Sequence, residues 1–511
     1  MSKVEERLAA SGIVIPDVPV PLAAYVPGVV SGNLVHTSGQ LPMAKGALAF
    51  KGKLGQDASV EDGYAAAKQC AVNCLGVVKA LIGDLDRVKR VVKVVGFVNS
   101  TPDFEAQPKV INGASELLQL AFGDAACVSF APQRAVRAVK DFADMTARQD
   151  EANSSAHHIA MDSLRNKAYE EAQKLFNADP EEIALVESTS HGLNIAACGI
   201  ELNDGDSIIT TNLEFIQVAL PWCLMRKTKN IDIRVCKTPD NRFRASDFAK
   251  LADKTTKILV MSTVEWCNGW ASDLKEIGDW CHENGIMFVV DAVQQMGVTK
   301  IDTKQCHIDL LVAGAHKWAN SPYGTGVMYV NKDSLDKIKQ SYGGYRNTSV
   351  PEGGWGAYWE KCDSKSVFDW TFPNTARKYE IGGTTNYTGA IALGESLGLV
   401  NEIGIENIQE HVWELGAYCM DQIESIGGTV ITHRDPERRA GIIIARLYDD
   451  VNIDRKIMRD LHARKIFIAQ RFTDNVGGFR ISCNWFNNKE DIDTMIAAMK
   501  DIIALIARAD P

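Results

Sequence analysis

This 511-residue sequence is short of the features that most readily announce a function. It has no CxxC pair and no Cys/His cluster at zinc spacing, so neither a dithiol centre nor a metal site is expected. Its twelve cysteines are scattered, and reduced, mostly buried thiols in cytosol are the expectation. Cys70 and Cys74, four apart in "QCAVNC", are expected to share one helix face. Positive charge is in deficit: 55 Lys and Arg stand against 65 Asp and Glu, a net charge of −10, which argues against a nucleic-acid partner. The one basic stretch, "RVKRVVK" (87–93), alternates with valines and reads as a half-exposed strand or helix edge. No apolar run approaches the length of a membrane span. The opening "MSKVEERLAASG" is charged and lacks an apolar signal core. No internal repeat or low-complexity linker is evident, and a soluble, cytoplasmic protein of two or three domains is expected.

What is present falls into two parts. Residues 1–123 read as a small α+β module. "GNLVHTSGQLPM" (32–43) reads as a strand pair with turn residues, and "VVKVVGFVNST" (91–101) as a β-branched strand. "SVEDGYAAAKQCAVNCLGVVKALIG" (59–83) has helical spacing and opens on a capping-type Ser and Glu, and "PKVINGASELLQLAFG" is a second amphipathic helix. From residue 124 a different rhythm begins. "IALVES", "SIITTN", "IDIRVCK", "KILVMST", "IMFVVDA", "DLLVAG" and "GVMYVN" are apolar runs separated by helix-length segments, the pattern of a mostly parallel seven-stranded sheet buried on both faces. After about Leu393 a long helix precedes "GTVIT", "GIIIARL", "IFIAQ" and "GFRISCN" and a last helix, a smaller α+β domain. The expected architecture is α/β, with domains at 1–123, 124–392 and 393–511.

Polar residues cluster just after the strand ends, where open α/β sheets bind ligands. "ALVESTSHGLNIAACG" passes from strand to helix through Ser, Thr and His, an anion cradle suited to a phosphate monoester. Alone it would be a plain helix cap. "MFVVDAVQQMG" ends a strand on Asp291 with Gln294 one turn on; a carboxylate there can keep a pyridinium nitrogen protonated, or simply cap a helix. "DLLVAGAHKWANSPYGTGVMYV" delivers Lys317 to the same edge, where a lysine held out of water forms a Schiff base with an aldehyde. Alone, it would snorkel to the surface. "GGFRISCNWFNNKEDID" offers Arg480, whose fork suits a carboxylate or a structural ion pair.

Two resemblances follow from these stretches. Through "SGNLVHTSGQLP", "GDLDRVKRVVKV" and "DFEAQPKVINGASELL" the first ~120 residues resemble the imine/enamine deaminases. That family continues with a strand carrying a carboxylate-gripping arginine and a closing strand. Here "FGDAACVSFAPQRAVRAVKDFADMTARQ" follows instead, with Arg134 nearest the missing role. A truncated module for assembly or docking is therefore expected, without deaminase activity. Residues 124–511 resemble the class V, fold-type I pyridoxal-phosphate enzymes: cysteine desulfurases, selenocysteine lyases and isopenicillin-N-epimerase-like proteins. The resemblance implies pyridoxal 5'-phosphate as cofactor and Lys317 as its internal aldimine. Asp291 would meet the ring nitrogen, Gln294 the ring hydroxyl, and Thr189, Ser190 and His316 the phosphate. "EIGGTTNYTG" resembles the family's Gly-Thr segment, so Thr384 would reach the phosphate of a neighbouring subunit, implying at least a homodimer with shared sites. Arg480 would hold the carboxylate of a small amino-acid substrate.

The departures narrow the activity. Where the desulfurases stack a histidine in an E-H-H/K segment, "TNLEFIQVALPW" has Phe215, which can stack but cannot move a proton. The connection "IFIAQRFTDNVGGFR" before Arg480 holds no cysteine, and Cys483 is expected to be packed, so persulfide formation is not expected. Gly314 stands where the family has a phosphate-binding serine. "STVEWCNGWASDL" resembles the epimerase-like and C–S-lyase branch, with Trp266 and Asn268 expected in the pocket. The aromatic-rich stretch 341–379 is either a substrate lid or a loop packed on its own aromatics. The favoured reaction is β-elimination with C–S or other C–X cleavage, since a deaminase-like module suits an enzyme releasing 2-aminoacrylate. Epimerase or aminotransferase activity is the alternative. A non-catalytic scaffold is the alternative of another class.

Overall fold

The computed structural model describes residues 4–5, 8, 13–16, 26–32, 34–44, 47–88, 91, 94–122, 130–148, 153–363, 370–464 and 466–509. It contains two compact units, Met1–Asp124 with His462–Ile466, and Ala125–Leu461 with Phe467–Pro511. The sequence seam at 123/124 and most of the basic stretch 87–93 lie outside the described residues.

In the first unit, β1 (Gly28–Ser31) and β2 (Leu34–Thr37) form an antiparallel hairpin turning at Gly32, whose φ of 56° lies in the left-handed region glycine favours. The hairpin therefore begins upstream of the expected strand pair. A second, shorter hairpin joins β3 (Met43–Ala44) to β4 (Ala47–Leu48). Helix α1 (Val60–Ile82) is capped by Ser59 in a reciprocal box whose partner is Asp62, the N3 residue, and not Glu61. By length and composition α1 could cross a membrane, contrary to the expectation that no run comes close. Here Ala67, Ala71 and Leu75 instead join Val110, Ala114 and Leu117 of α2 (Gln107–Phe122) in one apolar cluster. Gly113 permits this approach, since a Cβ there would meet the Tyr64 carbonyl oxygen at 2.1 Å. The strand expected at 91–101 is not one: among its described residues only Ser100 makes a bridge, to Leu54. Val94, Val95 and Phe97 are exposed, Phe97 to 94%. β-branched composition favours strand only where a neighbour supplies the ladder and the packing.

The second unit is built on seven strands: β5 (Ile183–Val186), β6 (Ser207–Thr211), β7 (Asp232–Cys236), β8 (Thr256–Ser262), β9 (Met287–Asp291), β10 (Leu310–Gly314) and β11 (Gly326–Val330). Their order is β5-β11-β10-β9-β8-β6-β7, parallel throughout except for β11, which is antiparallel to both neighbours. This is the expected mostly parallel sheet. Leu259, Val260, Val289 and Val290 are fully buried, as burial on both faces requires. The direction of β5, β6, β8, β9 and β10 sends all five carboxyl ends to one edge. Helix α3 (Thr189–Gly199) starts at that edge. A four-stranded antiparallel sheet, β12-β13-β15-β14, follows, from β12 (Thr429–Val430), β13 (Ile442–Arg446), β14 (Ala469–Thr473) and β15 (Val476–Ser482). The single long helix expected before it is two, α4 (Tyr387–Ile403) and α5 (Ile405–Ser425), broken at Gly404 with φ 91°. Residue 393 lies inside α4. The strand expected at 466–470 starts at Ala469.

Candidate active site

The carboxyl edge of the sheet collects the chemistry. β9 ends on Asp291, which is 2% exposed and whose Oδ1 accepts the Val293 N–H at 2.9 Å. Burial raises its carboxyl to about 6, opposed by that N–H and by the positive charge of Lys317. Lys317, half-buried in the turn after β10, is therefore close enough to act on Asp291, and its Nζ lies 5.9 Å from the centre of the Phe215 ring. Phe215 in turn stands edge-on to Trp266, ring centres 5.4 Å apart. Four strand ends, those of β6, β8, β9 and β10, thus bring ammonium, carboxylate and two aromatic rings together.

Beside them lies a place for an anion. Ser188 caps α3 by accepting the His191 N–H, and the remaining N–H groups of the first turn face the same edge. The Thr189 hydroxyl accepts the Gly314 N–H at 2.9 Å. A Cβ on Gly314 would meet Thr189 Oγ1 at 2.9 Å and the His316 ring at 3.3 Å. The missing side chain at 314, where a serine was the family expectation, leaves a cradle between Thr189 and His316. His316 stacks on Tyr323, and burial and Lys317 both hold its imidazole below the usual range, so it is neutral. Ser190 is half-buried in the first turn of α3. These residues fit a phosphate-bearing pyridine aldehyde: an amine for the carbonyl, a buried carboxylate for the ring nitrogen, and a helix start with hydroxyl and imidazole for the phosphate.

The profile of the aminotransferase class-V family matches residues 121–495. The chain belongs to the aminotransferase class V family. As a member it is a pyridoxal-phosphate-dependent enzyme, and the YjgF/chorismate mutase-like profile covers residues 5–133 at its N-terminal end. It is 27% identical over 404 residues to a probable cysteine desulfurase of Methanothermobacter thermautotrophicus, covering 75% of this chain and 94% of that one. With a probable cysteine desulfurase of Halalkalibacterium halodurans it shares 26% over 415 residues, 78% of this chain and 95% of that one. In fold this class V chain is similar to the apo cysteine desulfurase of Thermococcus onnurineus (TM-score 0.63, 21% identity, covering 75% and 94%). It is also similar to a cystine C–S lyase solved with its product cysteine persulfide (TM-score 0.65, 19% identity, covering 73% and 95%).

The other expected residues have these surroundings. Gln294 is buried, with Oε1 accepting the Trp318 indole N–H at 2.9 Å. Trp266 donates its indole N–H to the Leu213 carbonyl at 3.1 Å, so its polar edge is committed to the loop that carries Phe215. Asn268 is buried: its Nδ2 donates to the Asn241 carbonyl, its Oδ1 accepts the Trp270 N–H, and both ends brace the loop. Arg480 is half-buried on β15, opposite Ile444 and Ala469. Thr384 is exposed ahead of α4. Arg134, the candidate for a deaminase role, pairs with Glu395 at 2.8 Å and Glu402 at 2.6 Å. In the stretch 341–379, of which 364–369 lie outside the described residues, Trp355 packs against Tyr345, Tyr358, Trp359 and Trp370.

The sequence reading missed two acids. Glu214 and Glu265 are both buried, one before Phe215 and one before Trp266. Their signal was an acid set inside an apolar strand-end run, in "TNLEF" and "STVEW".

Proposed function

We propose that this class V enzyme is a lyase that cleaves a C–S or similar bond at the β-carbon of an amino acid. The observation that carries the proposal is Lys317 set against buried Asp291 and below the Phe215 face. Bound pyridoxal phosphate supplies the electron sink that lets an amino acid lose its Cα proton. The chain's part is positional. Asp291, ionised at neutral pH, keeps the ring nitrogen protonated. Thr189, Ser190 and neutral His316 would hold the phosphate, and Gln294 the ring hydroxyl. Phe215 would lie over the ring without exchanging protons, which would leave the Lys317 amine as the base at Cα. Arg480 holds the substrate carboxylate, and Thr384 completes the phosphate site of a neighbouring subunit in a cytoplasmic homodimer.

Loss of the β-substituent then releases 2-aminoacrylate, an enamine that hydrolyses to pyruvate and ammonia. Two facts favour this course. The named relatives include desulfurases, and the similar structures include a C–S lyase. Yet no cysteine lies between Cys419 and Cys483 in this chain, and Cys483 is 2% exposed, so the thiol that would take up sulfur is absent from the connection before Arg480. The YjgF-like unit is a fitting neighbour for an enamine-releasing enzyme. The test is incubation of the cofactor-loaded protein with cysteine, cystine and other β-substituted amino acids. Pyruvate formed in step with the leaving group is expected. Keto-acid-dependent amino transfer, or α-hydrogen exchange without pyruvate, would refute the lyase reading, and persulfide on the enzyme would restore the desulfurase.

A further inference from the structure

Behind Asp291 the two missed acids meet around one hydroxyl. Glu214 Oε1 accepts the Ser262 N–H at 2.8 Å, and Oε2 accepts the Ser262 hydroxyl at 2.6 Å. Ser262 is the ladder partner of Asp291 across β8 and β9. Thr211 Oγ1 lies 3.2 Å from Glu214 Oε1 and 2.9 Å from Glu265 Oε1, and it also receives the Leu213 N–H. A hydroxyl has one proton, so it cannot donate to both acids; one of them must donate to it. Glu214 has two further donors from Ser262. Glu265 has Thr211 alone, and its Oε2 is fully buried with no hydrogen-bond partner. An ionised carboxylate in that position would carry an uncompensated charge out of water.

We infer that Glu265 is a positioning residue held as a neutral carboxylic acid: it donates to Thr211, Thr211 donates to Glu214, and the single negative charge left behind Asp291 lets Asp291 stay ionised for the cofactor ring. This rests on the assignment of Asp291 to that ring in the proposed function. The groups facing the pair are Asp291, Cys267 and, beyond Asp291, Lys317. Burial holds the Cys267 thiol up at about 12, so it adds no charge at neutral pH. Burial and the Glu214 charge both raise Glu265. Were both acids ionised, their field would push a proton onto Asp291 and remove its grip on the ring nitrogen.

The infrared C=O stretch of a protonated carboxylic acid tests this in the holoenzyme at pH 8, above Glu214, which burial raises to about 7, and above Asp291 and Asp454, each raised to about 6, so that all three are ionised there. A band present in the wild type and lost in Glu265→Gln is expected; its absence from the wild type overturns the inference. Thr211→Val serves should E265Q not fold: losing its acceptor, the acid band should move to higher frequency, and an unmoved band contradicts the relay. As pH rises further, the band should bleach together with a change in cofactor colour, and E265Q should lack that alkaline colour change. Bleaching without a colour change would refute the effect on Asp291. A Lys317→Ala protein that keeps its colour would instead sink the proposed function while leaving the proton count behind Asp291 intact.

Discussion

The two units treat polar and apolar groups in opposite ways. In the first unit Asn73 is the one buried polar side chain among the described residues, and Val29, Val30, Leu34, Val95 and Phe97 face out. In the second, sheet residues such as Leu259, Val289 and Val312 are sealed, and acids are brought inside with them: Asp291, Glu214 and Glu265. Burying a carboxylate is costly unless hydrogen bonds or an opposite charge answer it. A fold that places three at one strand edge, next to a lysine, has accepted that cost where a reaction needs fixed charge. Among its described residues the first unit shows no such concentration. Burial of charge, more than composition, separates the two units.

The comparison breaks most sharply at Lys317. Lys317→Ala should lower turnover by roughly 10³-fold or more, as loss of a positioned base does, and abolish the cofactor's colour, with the thermal midpoint of the apoprotein little changed. Turnover retained in that variant would mean that the edge is not the working site. Packing gives the next contrast. Leu259→Ala, in the sealed sheet, should cost about 2–5 kcal/mol in denaturant unfolding, whereas Phe97→Ala should stay within about 0.5 kcal/mol. A large cost at Phe97 would show its face to be covered in solution.

Asp291 sharpens the comparison through pH. Its folded carboxyl, at about 6, lies above the ordinary 3.8, so between these values the native apoprotein binds a proton that the unfolded chain has released. This group's contribution therefore favours the fold below pH ~4, fades as pH rises towards ~6, and is a full penalty above, on the order of 3 kcal/mol. Asp291→Asn should thus raise the apoprotein's melting temperature at pH 7, by an amount that shrinks as pH falls to 4. Added cofactor should stabilise the wild type more than the variant. Equal melting curves across that range would place Asp291 in water.

Much of this was legible in the sequence, for reasons that differ by element. The seven strands of the sheet were readable because double-sided burial writes continuous apolar runs, and Asp291 and Lys317 stood out as charges at the ends of such runs. The stretch 91–101 has the same β-branched composition, but pairing depends on a neighbouring strand, which local sequence does not encode. The break at Gly404 was hidden because apolar periodicity continues on both sides of it. Glu214 and Glu265 were passed over because an acid is exposed by default. Only the three-dimensional meeting of Thr211, Ser262 and Asp291 shows otherwise.

Asn73 provides the smallest and most discriminating contrast. It sits in α1, and its Nδ2 donates to the Leu41 and Met43 carbonyls at 2.8 and 3.0 Å, while its Oδ1 accepts from Gln69 at 3.1 Å. Each carbonyl keeps a second donor, the Met43 N–H for Leu41 and the Gln69 amide for Met43. Asn73→Ala therefore strands no acceptor completely, and the cost to the first unit's unfolding should be about 1 kcal/mol for each of the three hydrogen bonds lost, without the larger penalty of an orphaned group. Turnover per cofactor-loaded site should be unchanged, because Asn73 ties strand to helix and takes no part in the charge set at the sheet edge. A loss of turnover at unchanged cofactor content would mean that the first unit contributes to the chemistry, and that buried charge alone does not mark the working part of this chain.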